Sequence, residues 1–151
     1  MPQNVVEGVT TLLGDMDFST RVCVLSFDWR TLAAVRKISP EIPAIYLSHV
    51  GVSLNNIKPG QPGPSPGMAG LDIDDFGGSI PRAVKAAGGK YWAPHYSYLT
   101  YALLEDAHQL GLKVYAWTVD SPGDMRRLKE MGVDGIITNR PDILQSVVGL
   151  P

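Results

Sequence analysis

The sequence predicts an α/β chain of parallel strands in repeated strand–helix units, the back of a (β/α)8 barrel, and three observations lead there. The stretch "LKVYAWTVDSPGDMRRLKEMGVDGIITNRPDIL", residues 112–144, reads as strand, helix, strand and the start of a helix, and its first strand is apolar on both faces, as in a covered parallel sheet. Strand starts near Val22, Ala44, Tyr91, Val114 and Gly135 recur at about 22 residues with one interval of about 47. A whole barrel takes about 250 residues, about 31 per unit, so 151 residues correspond to about five units of eight.

Each element has its own reason. Val5, Val6, Val9, Leu12 and Leu13 fall at helical spacing and Gly14 ends them, which predicts an opening helix with no strand before it. "VCVLSF" (22–27) is β-rich; Asp28 can cap the helix carrying Leu32, Ala33, Val35 and Ile38, and Pro40 stops it. "AIYLS" (44–48) is the second strand. "YWAPHY" (91–96) is a third, with Pro94 at its end because proline cannot donate to a ladder. A helix from about Thr100 buries Leu103, Leu104, Ala107 and Leu110 and stops at Gly111. Val114–Val119 is the fourth strand. Ser121 caps the next helix, Pro122 suits its first position, Asp124 favours its positive start, and Met125, Leu128 and Met131 form its apolar stripe. Gly132 fits a left-handed C-cap, "VDGIIT" returns as a strand, and Pro141 opens the last helix.

Residues 50–81 form the long insertion in this single partial-barrel domain. Turn and breaker residues dominate "VSLNNIKPGQPGPSPGMAG", and "SIPRAVKAA" (79–87) recovers a short helix with Ile80, Ala83, Val84 and Ala87 inward. The free part, Val52 to Gly70, is expected to be a lid beside the strand ends or a disordered stretch.

Composition excludes several classes. A chain with 44% hydrophobic residues can bury one sizeable core, and a net charge of −2 gives no basic footprint for nucleic acid. No apolar run approaches the roughly 20 residues of a membrane span, and "MPQNVVEG" lacks signal-peptide regions, which leaves the compartment open with the cytoplasm slightly favoured. Lone Cys23, inside a strand pattern, is expected to be a buried packing residue.

"VCVLSFDWRTLAAVRKISPEIPAIYL", followed by "LTYALLEDAHQLGLKVYAWTVDSPGDMRRLKEMGVDGIITNRPDIL", resembles the C-terminal part of a glycerophosphodiester phosphodiesterase. Its most specific segments are Ser26-Phe27-Asp28, the run Gly111 to Val119 ending in Trp-Thr-Val, and "GVDGIITNRPD". The resemblance implies the last five units of a TIM barrel, with the N-terminal three absent. It also implies hydrolysis of glycerophosphodiesters to glycerol 3-phosphate and an alcohol in lipid and glycerol metabolism, with Mg²⁺ or Ca²⁺ in the complete barrel. The family's His-Arg-Gly, Glu-x-Asp and further acidic motifs do not occur here. No catalytic residue and no metal ligand is therefore carried over, and the isolated chain is expected to be inactive.

What carries over is substrate wall. Barrel sites form at the C-terminal strand ends, here Ser26 and Phe27, Leu47 to His49, Pro94 to Tyr96, Trp117 to Asp120 and Thr138 to Arg140. Phe27 and Trp117 match aromatic positions of the family, where a ring packs on glycerol carbons and an indole N–H can donate. His95 is the third candidate, able to donate to phosphate, ahead of His49; His108 reads as a surface helix residue. Asp72, Asp74 and Asp75 read as a solvated loop, since they lack the glycine and terminal glutamate of a calcium loop. Two other readings stay open: a noncatalytic half-barrel module that binds or self-assembles, and a doubly wound five-stranded domain. On the barrel reading the partners are the diester substrate and either further copies of the chain or a complementary N-terminal barrel half.

Overall fold

Short polar side chains set the helix starts. The computed structural model describes residues 2–51 and 54–149. Its regular elements are α1 (Pro2–Asp15), β1 (Val24–Ser26), α2 (Trp29–Ile38), β2 (Ala44–Ser48), α3 (Ile80–Ala86), β3 (Tyr91–Pro94), α4 (Tyr101–Gln109), β4 (Lys113–Ala116), α5 (Pro122–Met131), β5 (Gly135–Ile136) and α6 (Pro141–Val148). The side chains of Asp28, Ser79, Thr100 and Ser121 accept backbone N–H bonds at the starts of α2, α3, α4 and α5, satisfying donors that have no partner within the helix. Gly132 closes α5 at φ 89°, a conformation that costs glycine nothing.

All five strands are parallel and lie in the order β1-β2-β3-β4-β5. A doubly wound sheet reverses its order partway, so the sequential order removes that reading. The two faces of the sheet differ. Tyr46, Trp92 and Val114 are register partners, and with Ala44 and Ala116 they pack into one core against Trp29, Leu32, Val84, Leu104, Ala107, Met125 and Leu128 of the helices. Leu25, Ile45, Leu47, Tyr91, Ala93 and Tyr115 alternate with that set and point to the other face, where Leu25 is 39% exposed. The Tyr115 ring lies across Gly135, where a β-carbon would run into it. Buried indoles find acceptors across strand ends: Trp29 Nε1–H donates to the Leu47 carbonyl at 3.1 Å and Trp92 Nε1–H to Ser48 Oγ at 2.9 Å.

Several expectations need correction. The strands are shorter than the β-rich runs, with β1 confined to Val24–Ser26 and β4 ending at Ala116. Pro94 does close β3. Cys23 is exposed rather than packed: it precedes β1, which lies at the edge of the sheet formed by the described residues. The α1 stripe divides: Val6 is buried against the Val35 and Ile42 cluster, while Val5, Val9 and Leu12 remain 46–66% exposed.

The insertion differs most. Val52 and Ser53 lie outside the described residues, but the expected lid or disordered stretch is anchored to the core at Asn56, Ile57, Ser65, Gly67 and Met68, with 58–64 exposed between them. Ile57 is 1% exposed and Met68 0%, both in the main core with Trp29 and Ile73. Ser65 Oγ accepts from the Ile73 N–H at 3.1 Å, and the Gly67 carbonyl accepts from the Trp29 N–H at 2.8 Å. Turn residues reverse the chain repeatedly, and those reversals carry its few apolar side chains into the core. The acidic trio is structural surface: Asp72 caps the 3-10 turn Ile73–Phe76, and the Asp74 carboxylate accepts from the Gly60 N–H. No helix among the described residues is long and apolar enough to cross a membrane.

Candidate functional site

Strand alternation explains why particular side chains meet. Phe27, His49, His95 and Trp117 each stand two residues beyond a side chain of the helix-free face, namely Leu25, Leu47, Ala93 and Tyr115. Leu47 pairs with Ala93, and one step further His95 bridges Trp117 in parallel. The four rings therefore converge beyond the C-terminal ends of β1 to β4.

The cluster is contiguous. Phe27 meets Trp117 edge-on at 5.2 Å between centroids, His95 meets Trp117 at 4.9 Å, and His49 meets His95 at 4.9 Å and Trp117 at 5.8 Å. These are favourable aromatic separations. Tyr98 joins at 5.4 Å from His49 and 5.9 Å from His95, and Tyr96 lies 5.0 Å from His95. All three expected wall residues, Phe27, Trp117 and His95, are thus brought together, and His49 belongs with them. His108 is elsewhere, held by Asp134 at 2.9 Å near the opposite strand ends.

His95 caps the 3-10 turn Tyr96–Tyr98: its Nδ1 accepts from the Ser97 N–H and sits 2.8 Å from Ser97 Oγ. That cap leaves the proton of the neutral ring on Nε2. Burial, and then the like charge of His49, hold the His95 pKa below its ordinary value, so the ring is neutral over a wider pH range. The Trp117 indole N–H is already used, donating to the Ala93 carbonyl at 2.9 Å. This corrects the expectation of a donor for substrate and leaves the ring itself as the contact surface.

Asp120 organises the neighbouring edge. Its carboxylate accepts from Thr138 Oγ1, the Asn139 N–H and Asn139 Nδ2 at 2.8–3.0 Å, and these bonds, the Asn139 side chain's first, hold its pKa below the usual carboxylate range. The two arginines at these strand ends are committed: Arg30 to Asp28 at 2.7 Å and Arg140 to Asp142 at 2.8 Å. Among the described residues no three His, Cys, Asp or Glu come together to hold a metal ion, so the present side chains do not fit a divalent cation site. The arrangement can bind and orient a ligand through apolar rings and an imidazole N–H. Tyr98 and Asn56, discussed below, escaped sequence reasoning: the tyrosine lies on a turn with no periodicity, and a buried asparagine in a Gly/Pro-rich stretch reads as any turn asparagine.

The model of the glycerophosphoryl diester phosphodiesterase family matches residues 3–143. A glycerophosphodiester phosphodiesterase of Caldanaerobacter subterraneus subsp. tengcongensis is 26% identical over 144 residues, 95% of this chain and 49% of the relative. A crystal structure from Silicibacter pomeroyi, assigned as a glycerophosphoryl diester phosphodiesterase, superposes with a TM-score of 0.79 at 33% identity, covering 97% of this chain and 44% of the other. An Oleispira antarctica phosphodiesterase, whose structure holds the product sn-glycerol 3-phosphate, shares the fold at a TM-score of 0.71 and 16% identity over 98% of this chain and 50% of its own. The chain spans about half the length of such relatives.

Proposed function

This chain belongs to the glycerophosphoryl diester phosphodiesterase family, and from that premise we propose that its strand-end aromatic cluster is the glycerol-side wall of a glycerophosphodiester phosphodiesterase. The observation that carries the proposal is the meeting of Phe27, His95 and Trp117, which are far apart in sequence. The Trp117 and Phe27 rings pack on the glycerol carbons, and His95 Nε2–H donates to a phosphoryl oxygen. Water gives up a proton to a base as it attacks phosphorus, the P–O bond to the alcohol breaks, and an acid gives a proton to the departing alkoxide, yielding glycerol 3-phosphate and an alcohol. The wall binds and orients; it does not transfer these protons.

The acid, the base and the divalent cation that the family generally uses belong, on this reading, to barrel units outside this chain, and the chain is one partial-barrel domain. Five sequential parallel strands, a span near half that of the relatives, committed arginines and the lack of a three-ligand cluster among the described residues support it. Developing oxyanion charge in phosphoryl transfer needs such neutralisation, and aromatic surface cannot supply it. A second reading, a noncatalytic binding or self-assembling half-barrel, is favoured by the exposed Val5, Val9 and Leu12 on α1, by Met16 just after it and by Leu25 on β1. Either reading leaves apolar surface to be covered by a complementary barrel half or by another copy.

The test is glycerol 3-phosphate release from glycerophosphocholine with Mg²⁺ or Ca²⁺, for the chain alone and with the three missing units supplied. Turnover is expected only in the completed barrel, where Trp117→Ala raises KM while cation binding persists. Chelator-sensitive turnover by the chain alone refutes the division of labour. An inactive completed barrel favours the noncatalytic module.

A further inference from the structure

The β1–β2 ladder ends at Ser26↔Tyr46, one residue short of Phe27 and three short of His49. Beyond that point one side chain from the insertion replaces the ladder. Asn56, 7% exposed, donates from Nδ2 to the Phe27 carbonyl at 3.0 Å and to the Leu47 carbonyl at 3.1 Å. Its Oδ1 accepts from the His49 N–H at 2.9 Å. Both amide protons and the amide oxygen are thereby engaged, each on a main-chain group of a strand end. The Asn56 backbone locks on as well, donating to the His49 carbonyl and accepting from the Gly67 N–H at 3.1 Å. Close approach is built in at Gly67, where a β-carbon would fall 2.7 Å from Asn56 Cβ and 2.8 Å from the Phe27 carbonyl oxygen.

We propose that Asn56 is a positioning residue for the substrate wall: by fastening the ends of β1 and β2 to the insertion it sets where Phe27 and His49 stand against Trp117 and His95. This rests on the reading of that cluster as a substrate wall. The insertion is then a fixed brace and not a lid, which agrees with the burial of Ile57 and Met68 beside it. Past Ser26↔Tyr46 the Trp29 indole ties the start of α2 to the Leu47 carbonyl, and Asn56 fastens the Phe27 carbonyl itself to that same carbonyl and to the His49 N–H.

The test uses Asn56→Leu, which keeps the number and branching of side-chain heavy atoms, adds no charge and removes all three side-chain bonds. Among the described residues, His49, Tyr96 and Tyr98 are the titratable groups with rings against His95. When His49 leaves its place, the His95 titration followed by NMR shifts to higher pH, because the like charge is gone. The quench of Trp117 emission by protonated His95, which stands edge-on to the indole, moves to higher pH with it. Ser65→Ala is the control: it removes a buried bond within the insertion, lowers Tm, and leaves both readouts unmoved. In the completed barrel, Asn56→Leu raises KM about tenfold with kcat within about threefold. An inactive parent barrel would defeat the functional reading and leave the titration test standing. Unchanged His95 titration and unchanged quench in folded Asn56→Leu overturn the proposal. Should that variant not fold, proton exchange in the unaltered chain decides: the Asn56 side-chain amide must exchange far more slowly than that of exposed Gln109, and equal rates overturn it.

Discussion

Ile57→Ala tests whether the insertion is core or covering. The side chain is 1% exposed and belongs to the cluster that holds Trp29, Met68 and Ile73. The substitution deletes the three carbons beyond Cβ, which at about 0.8 kcal/mol per buried methylene removes about 2.4 kcal/mol of transfer free energy. Rigid neighbours, two of them a tryptophan and the residue after a capping aspartate, close the space only in part, and the cavity brings the loss to about 3–4 kcal/mol. Urea unfolding followed by tryptophan emission measures it as a lower midpoint at unchanged m. Leu54→Ala, at a residue 40% exposed in the same insertion, should cost no more than about 0.5 kcal/mol. A loss below about 0.5 kcal/mol for Ile57→Ala would mean that the segment stands off the core, and the brace argument would fall with it.

Ser48→Ala should lower stability by about 1–3 kcal/mol in thermal melts, because the buried Trp92 N–H loses its acceptor; a change within about 0.3 kcal/mol would contradict this. Acid should destabilise the chain in two windows. His95, with its pKa lowered by burial and then by His49, contributes stability that is whole above its ordinary 6.5 and is lost as pH falls through its lower folded value. Asp134 is likewise lowered: burial opposes ionisation, but bonds from Lys113, the Val114 N–H and His108 outweigh it, so its contribution is whole above 3.8 and is lost in stronger acid. Urea midpoints against pH should show both steps, and His95→Gln should flatten the upper one; a profile flat from pH 7 to 5 in the parent would refute the first.

Local chemistry was the legible part. Capping by Asp28 and Ser121, the closure of α5 at Gly132 and the place of Pro94 follow from how single residues treat neighbouring backbone, and the structure repeats them. The meeting of Phe27, His95 and Trp117 was legible too, because strand parity and parallel order bring equivalent positions together. Contacts that join distant segments were not. Asn56 reaches Phe27 across 29 positions, and nothing in its immediate sequence marks it as buried. Trp117 offered an N–H that looked free for substrate until the Ala93 carbonyl was placed beneath it. Cys23 follows the same rule: its burial depended on a strand beside β1, which no period within the segment reports.

The insertion also bears on chain entropy. Ladder partners Ser26↔Tyr46, Trp92↔Val114 and Ala116↔Ile136 are 20 to 22 positions apart, whereas Tyr46↔Trp92 spans 46. Closing the longer loop costs only about 0.7 kcal/mol more, since the penalty grows with the logarithm of length. Burying an isoleucine or a methionine is worth about 1.5–3 kcal/mol each, and this loop buries Ile57 and Met68. The closure penalty of that one long connection is therefore smaller than what either buried side chain returns, so chain closure is not what limits its length.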